Sequence, residues 1–274
     1  MIRRACPLGA PTPERWLLVL QPDHARLSYE LAKAWGGTAV APLVCADEDM
    51  GDPLAGVRAE VLEAIRRHDD GWIGYQPLLD AETGLPLSFT EMPADASQAI
   101  WNGSIDACRA VGLLAGWMAA SHFYALQTKH DADDAVWAAW RRDVERRRET
   151  WLAEWLASSS LHTTALAERC LAWLQSFDWM SLWLCCVCPA KPDDALPEPL
   201  VVGDEATAWP PMQFAPGASS ADFVRVTPWP FAPEQLDLRV EARVFDPQGT
   251  GDAVTSLAWR LAPGVSRARC SPTG

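Results

Sequence analysis

No stretch of 18 apolar residues occurs in this 274-residue chain, so no membrane-spanning helix is expected. The apolar run near the start, WLLVL at 16–20, is five residues long and ends in Gln-Pro-Asp. That is too short for the core of a signal peptide, and a cytoplasmic protein is expected. Positive charge is scarce: 23 Lys and Arg face 36 Asp and Glu, a net charge of −13. This deficit excludes sequence-independent binding to nucleic acid or to anionic membranes, which needs a cationic surface. The basic run RRDVERRRE at 141–149 is interleaved with acids and reads as a solvated helix face. No GxGxxG, GxSxG or phosphate-loop pattern occurs, and no repeat of 20–50 residues. Cysteines number 8, irregularly spaced. Cys185 and Cys188 form a Cys-x-x-Cys but lack a second ligand pair nearby, so free thiols are expected rather than a zinc site.

Apolar residues are plentiful, at 49%, and so is tryptophan, at 15. A sizeable core is therefore affordable, with most indoles inside it. Residues 15–20 read as a short buried strand. Helices are expected over about 23–35, 55–70, 97–109, 110–128, 132–157 and 162–188, from 3.6-residue periodicity and Pro or Gly at their ends. Residues 38–53 read as loop, and the Gly/Pro-rich 71–97 as a long ordered loop of the kind that often carries function. Residues 189–221 are proline-rich and irregular. From 222 the period becomes two: Leu236, Leu238, Val240, Ala242 and Val244 fall on one side, and AVTSLAWRL returns after a turn. The expected architecture is mainly α: a helical domain over 1–188, a linker or crossing segment over 189–221, and a small antiparallel β appendage over 222–262.

Four of the apolar stripes carry a polar residue that does not belong there. His24 shares a face with Leu27 and Leu31. Val57, Val61, Ala64 and Ile65 lead to His68, which Asp69 follows. Leu114, Met118 and Ser121 lead to His122, and Asp178 interrupts Leu171, Leu174 and Leu182. A buried aspartate costs several kcal/mol unless paired or bound to a cation. One inward histidine or aspartate is ordinarily a satisfied core residue. Inward groups from four helices, all of metal-ligand type, suggest convergence inside the bundle.

The order His24, His68-Asp69, His122, Asp178 resembles the HD-domain metal-dependent phosphohydrolase superfamily. Its sites combine a histidine on one helix, an adjacent His-Asp closing a later helix, and a distal aspartate. The stretches QPDHARL, RRHDDGW, PLSFTEMP, SHF and DWMSLWLC together are similar to an uncharacterised bacterial family, labelled as a domain of unknown function, over most of residues 1–245. That second resemblance implies no activity. The first implies an HD-like bundle in which His24, His68, Asp69 and Asp178 hold one or two divalent ions, with His122 on a second ion or facing substrate. Imidazole and carboxylate ligands suit Mn²⁺, Fe²⁺, Ni²⁺ or Zn²⁺. The implied chemistry is hydrolysis of a small-molecule phosphoester by a metal-activated water. Asp70 and Glu91 are candidate bases or supports for the ligands. Arg26, Arg66, Arg67 and Lys129 neighbour the ligands in sequence and are candidate phosphate partners. Two alternatives stay open: a non-haem di-iron oxygenase on the same ligands, and a non-catalytic interaction module with satisfied core histidines.

Overall fold

Alternation at residues 236–244 places Leu238, Val240 and Ala242 in the core and Asp237, Arg239, Glu241 and Arg243 in solvent. In the computed structural model this strand is the middle of something larger than an appendage. Residues 1–10, 13, 15–36, 57–130, 135–191, 193–217, 222–247 and 253–264 are described. The strands are β1 (Ile2–Cys6), β2 (Arg15–Val19), β3 (Leu200–Val202), β4 (Met212–Pro216), β5 (Phe223–Thr227), β6 (Leu236–Phe245) and β7 (Ala253–Pro263). The helices are α1 (Gln21–Ala34), α2 (Arg58–Arg67), α3 (Ala94–Arg109), α4 (Leu113–His130), α5 (Ala135–Ser158) and α6 (Thr164–Cys186). The expected loop at 38–53 and the first residues of the helix expected from 55 lie outside the described residues.

All seven strands form one sheet in the order β1-β2-β6-β7-β5-β4-β3. Every pairing is antiparallel except β5 with β7. Register puts Leu238 opposite Trp259 and Val240 opposite Leu257, so one face is continuously apolar. The expectation of a mainly α, HD-like bundle with a small C-terminal β unit is therefore wrong. Six α-helices and one seven-stranded sheet share the described residues, and the sheet curls as a half-barrel. Three strands escaped the sequence reading for local reasons. Strand β1 is five residues with two arginines, β3 is three residues, and β4 follows Pro210 and Pro211. None is long enough to show a period.

Helix α6 is central, packing on α1, α2 and α4 and against β1 and β3. At its foot the aromatic core joins helix to sheet: Trp35 meets Phe177 edge-on at 5.1 Å and Phe231 at 5.3 Å, and lies 4.2 Å from Trp209. Glu60 of α2 ties the helices to each other, its Oε1 accepting the Ala115 amide at the start of α4 (2.9 Å).

The far end of α6 is capped from β1. Arg4, 2% exposed, donates from Nη1 to the Cys188 carbonyl (2.7 Å) and more distantly to those of Leu184 and Cys185. Its Nη2 meets Asp194 at 2.5 Å. Asp194 in turn accepts from the amides of Leu8, Ala190 and Lys191. A cation at a helix C-terminus, paired to a fully bonded carboxylate, satisfies carbonyls that would otherwise be orphaned. The cysteines at this cap are free. Burial pushes the Cys186 thiol up to about 12 and raises those of Cys185 and Cys188 well above the ordinary thiol range. Thiols, not thiolates, line the cap, and thiols ligate metals poorly.

Candidate metal centre

Four elements bring the inward polar residues together. Pro22 starts α1 and sets His24 in its first turn. His68 closes α2 as its C-cap, and Asp69 leads into a single 3₁₀ turn, Asp70–Trp72. His122 sits within α4 and Asp178 within α6. His24 and His68 are 1% exposed, His122 4%, Asp69 5% and Asp178 8%. Val61, Ala64 and Ile65 are buried beside His68, Leu114 and Met118 beside His122, and Leu27 and Leu31 beside His24; of the Asp178 stripe Leu174 is buried and Leu171 and Leu182 are half-buried.

The 3₁₀ turn depends on Gly71. A Cβ there would lie 1.9 Å from the Ile100 carbonyl and 2.6 Å from the Ser104 amide of α3. The bare backbone instead donates its N–H to Ser104 Oγ at 3.0 Å. Gly71→Ala must push the turn off α3 and drag Asp69 with it. Overpacking of this kind is expected to destabilise by about 3 kcal/mol, read as a lowered denaturant midpoint. A variant as stable as the parent would show that the turn and α3 can separate freely.

Two carboxylates sit among three imidazoles. His24 Nε2 is 3.1 Å from Asp69 Oδ2 and 3.2 Å from Asp178 Oδ1. His68 Nε2 is 3.3 Å from Asp178 Oδ1 and 3.6 Å from Asp69 Oδ2. His122 Nε2 stands 3.7 Å from Asp178 Oδ2. The other ring nitrogens fix the tautomers. His68 Nδ1 donates to the Ile65 carbonyl at 2.8 Å. Ser181 gives its proton to the Asp178 carbonyl (2.9 Å), so its Oγ accepts from His24 Nδ1 at 2.6 Å and from Ser28 at 2.7 Å. With neutral rings, Nε2 of His24 and of His68 would be lone-pair atoms facing carboxylate oxygens. Acceptors facing acceptors are held together only by positive charge between them: a proton on each ring, or a cation.

The ionisation pattern without a cation says the same. Burial works against charge on His24 and His68, yet Asp69 and Asp178 outweigh it, raising His24 and lifting His68 to about 9. Burial likewise opposes ionisation of the two aspartates, but the imidazoles hold both below the usual carboxylate range. His122 is the exception: burial lowers it to about 4, and it stays neutral. One ligand atom each from His24, His68 and Asp178 lie within 4.8 Å of one another, and this buried group can hold a metal ion. It is the group of that kind among the described residues, whose cysteines contribute to none.

Asp70 and Glu91 do not line the cavity at the cluster. Asp70, half-buried, has Oδ2 3.9 Å from Arg67. Glu91 pairs with Arg3 at 2.7 Å and caps its own turn by accepting the Ser88 amide. The arginines expected near a phosphate are also engaged elsewhere. Arg26 pairs with Asp23, Arg66 with Glu63, and Arg67 with Glu63 and Asp70. The Lys129 side chain lies outside the described residues.

A cavity of about 60 Å³ opens directly on the cluster, lined by His24, Asp69, His122 and Asp178 and walled by aromatics including Trp72, Phe89 and Phe123. It shares His122, Leu126 and Asp178 with a groove of about 490 Å³ that runs between α4, α6 and the turn after β3. The sequence reading missed Ser28, Ser181 and Gln21. Their signal was available: Ser28 is one turn from His24, Ser181 one turn from Asp178, and Gln21 three residues before His24. Each lies on a stripe already flagged as polar.

The chain belongs to the family described as protein of unknown function (DUF3891), which matches residues 9–246. No curated protein and no solved structure matches it.

Proposed function

We propose that this protein is a metal-dependent hydrolase of a small molecule, built on His24, His68, Asp69 and Asp178. The observation that carries the reading is the buried meeting of the His24 and His68 Nε2 atoms with the carboxylates of Asp69 and Asp178. Histidine and carboxylate ligands suit Mn²⁺, Fe²⁺, Ni²⁺ or Zn²⁺, one ion for the one compact group. Such an ion lowers the pKa of a bound water towards neutrality and stabilises negative charge on the reacting group. The chain's own part is to fix the ligand rings through Ile65 and Ser181, to exclude bulk water with an aromatic wall, and to hold His122 neutral beside the cavity.

A second reading has support of its own. Two histidines and one aspartate are also the ligand set of non-haem Fe²⁺ oxygenases. Elemental analysis of anaerobically purified protein separates the readings. About one equivalent of Mn, Ni or Zn, lost in Asp69→Ala, is the expected result. Stoichiometric iron with redox colour would favour the oxygenase. No metal, or equal metal in parent and Asp69→Ala, would overturn both in favour of a non-catalytic module.

A further inference from the structure

Gln21 is 4% exposed, lines the small cavity beside His24, and its Oε1 has no hydrogen-bond partner. His122 lines the same cavity, and its buried Nδ1 likewise has no hydrogen-bond partner. Buried polar atoms are ordinarily paired, so two orphans in one cavity call for a ligand. The walls define its character. Among the described side chains no lysine or arginine lines the cavity or the groove that joins it, and the groove adds the carboxylate of Asp204. A divalent ion with Asp69 and Asp178 sums to zero charge. A phosphoester buried there would bring negative charge that no described side chain balances, at a cost of several kcal/mol.

Resting on the hydrolase reading, we infer that the centre takes an uncharged substrate of amide type, and that Gln21 binds and orients it by accepting an N–H. Gln21 stands one helical turn before His24, so the orienting group and the ligand share a face of α1. The 60 Å³ cavity admits the reacting end, and the apolar groove past Leu126, Ala172 and the half-exposed Trp179 receives the remainder. In the hydrolysis the water oxygen bonds to the carbonyl carbon, the C–N bond breaks, and a water proton goes to the leaving nitrogen. Nothing is oxidised or reduced.

The test uses the full chain loaded with Mn²⁺, with metal content measured first. The longitudinal relaxation of acetamide methyl protons then reports binding near the paramagnetic ion. Enhancement in the parent protein, cut at least fivefold in Gln21→Met and kept within twofold in Gln21→Glu, is expected. Melting curves and metal content for each variant separate a lost contact from a lost fold. Full enhancement in Gln21→Met, none in the metal-loaded parent, or displacement of acetamide by equimolar inorganic phosphate would overturn the inference while leaving the metal centre standing. A parent that takes up no Mn²⁺ would overturn the hydrolase reading and this inference with it.

Discussion

Asp178→Ala protein is expected to bind divalent metal at least roughly a hundredfold more weakly than the parent, since changing even the groups behind the ligands costs ten- to a hundredfold. Asp178 is the one side chain that approaches all three imidazoles, through Oδ1 to His24 and His68 and Oδ2 to His122. Without it the rings surround a hole, with Asp69 the one carboxylate left. Metal content after dialysis, with binding isotherms for Mn²⁺ and Zn²⁺, measures the effect. Asp178→Asn separates charge from shape: it keeps the volume and removes the negative charge. Were Asp178→Asn to bind metal as the parent does, the cluster would be a structural hydrogen-bond network and the proposed function would fall.

The second large effect lies about two turns further along α6, at its C-terminal cap. Arg4→Ala is expected to destabilise the fold by about 3–5 kcal/mol, the cost of stripping one partner from a buried ion pair. It leaves the Asp194 carboxylate buried without its cation and reopens the carbonyls of Leu184, Cys185 and Cys188. The double variant Arg4→Met, Asp194→Leu should recover part of the loss, because an apolar pair carries no stranded charge. Equilibrium urea unfolding measures all three proteins. A change below about 1 kcal/mol for Arg4→Ala, the level of an exposed pair, would mean that water reaches the α6 cap.

The candidate site was more legible in the sequence than the fold was. A helix has a fixed period, so Val57, Val61, Ala64 and Ile65 were enough to aim His68 inward. The same rule served His24, His122 and Asp178. What it could not do was distinguish ligands from their supports, so Ser28, Ser181 and Gln21 passed unnoticed. Asp70 was singled out because it follows Asp69 and Glu91 because it lies in the SFTEMP loop, and neither position carries a direction once a helix has ended. The sheet was hidden for another reason. Trp16 pairs with Phe245 and Leu18 with Arg243, contacts between opposite ends of the chain that no local window contains. Arg4 compounds this: an arginine in a short strand reads as surface, yet its burial follows from Asp194 and the α6 carbonyls.

The β2–β6 ladder has a consequence for synthesis of the protein. Strand β2 leaves the ribosome early, yet its partner edge arrives only with residues 243–245. At translation rates of roughly 5–20 residues per second the nascent hairpin of β1 and β2 waits about ten seconds or more with one edge open. An open edge is a template for pairing with another chain. Slow elongation late in the message should therefore favour aggregation, and chaperone dependence should track the time taken to complete β6.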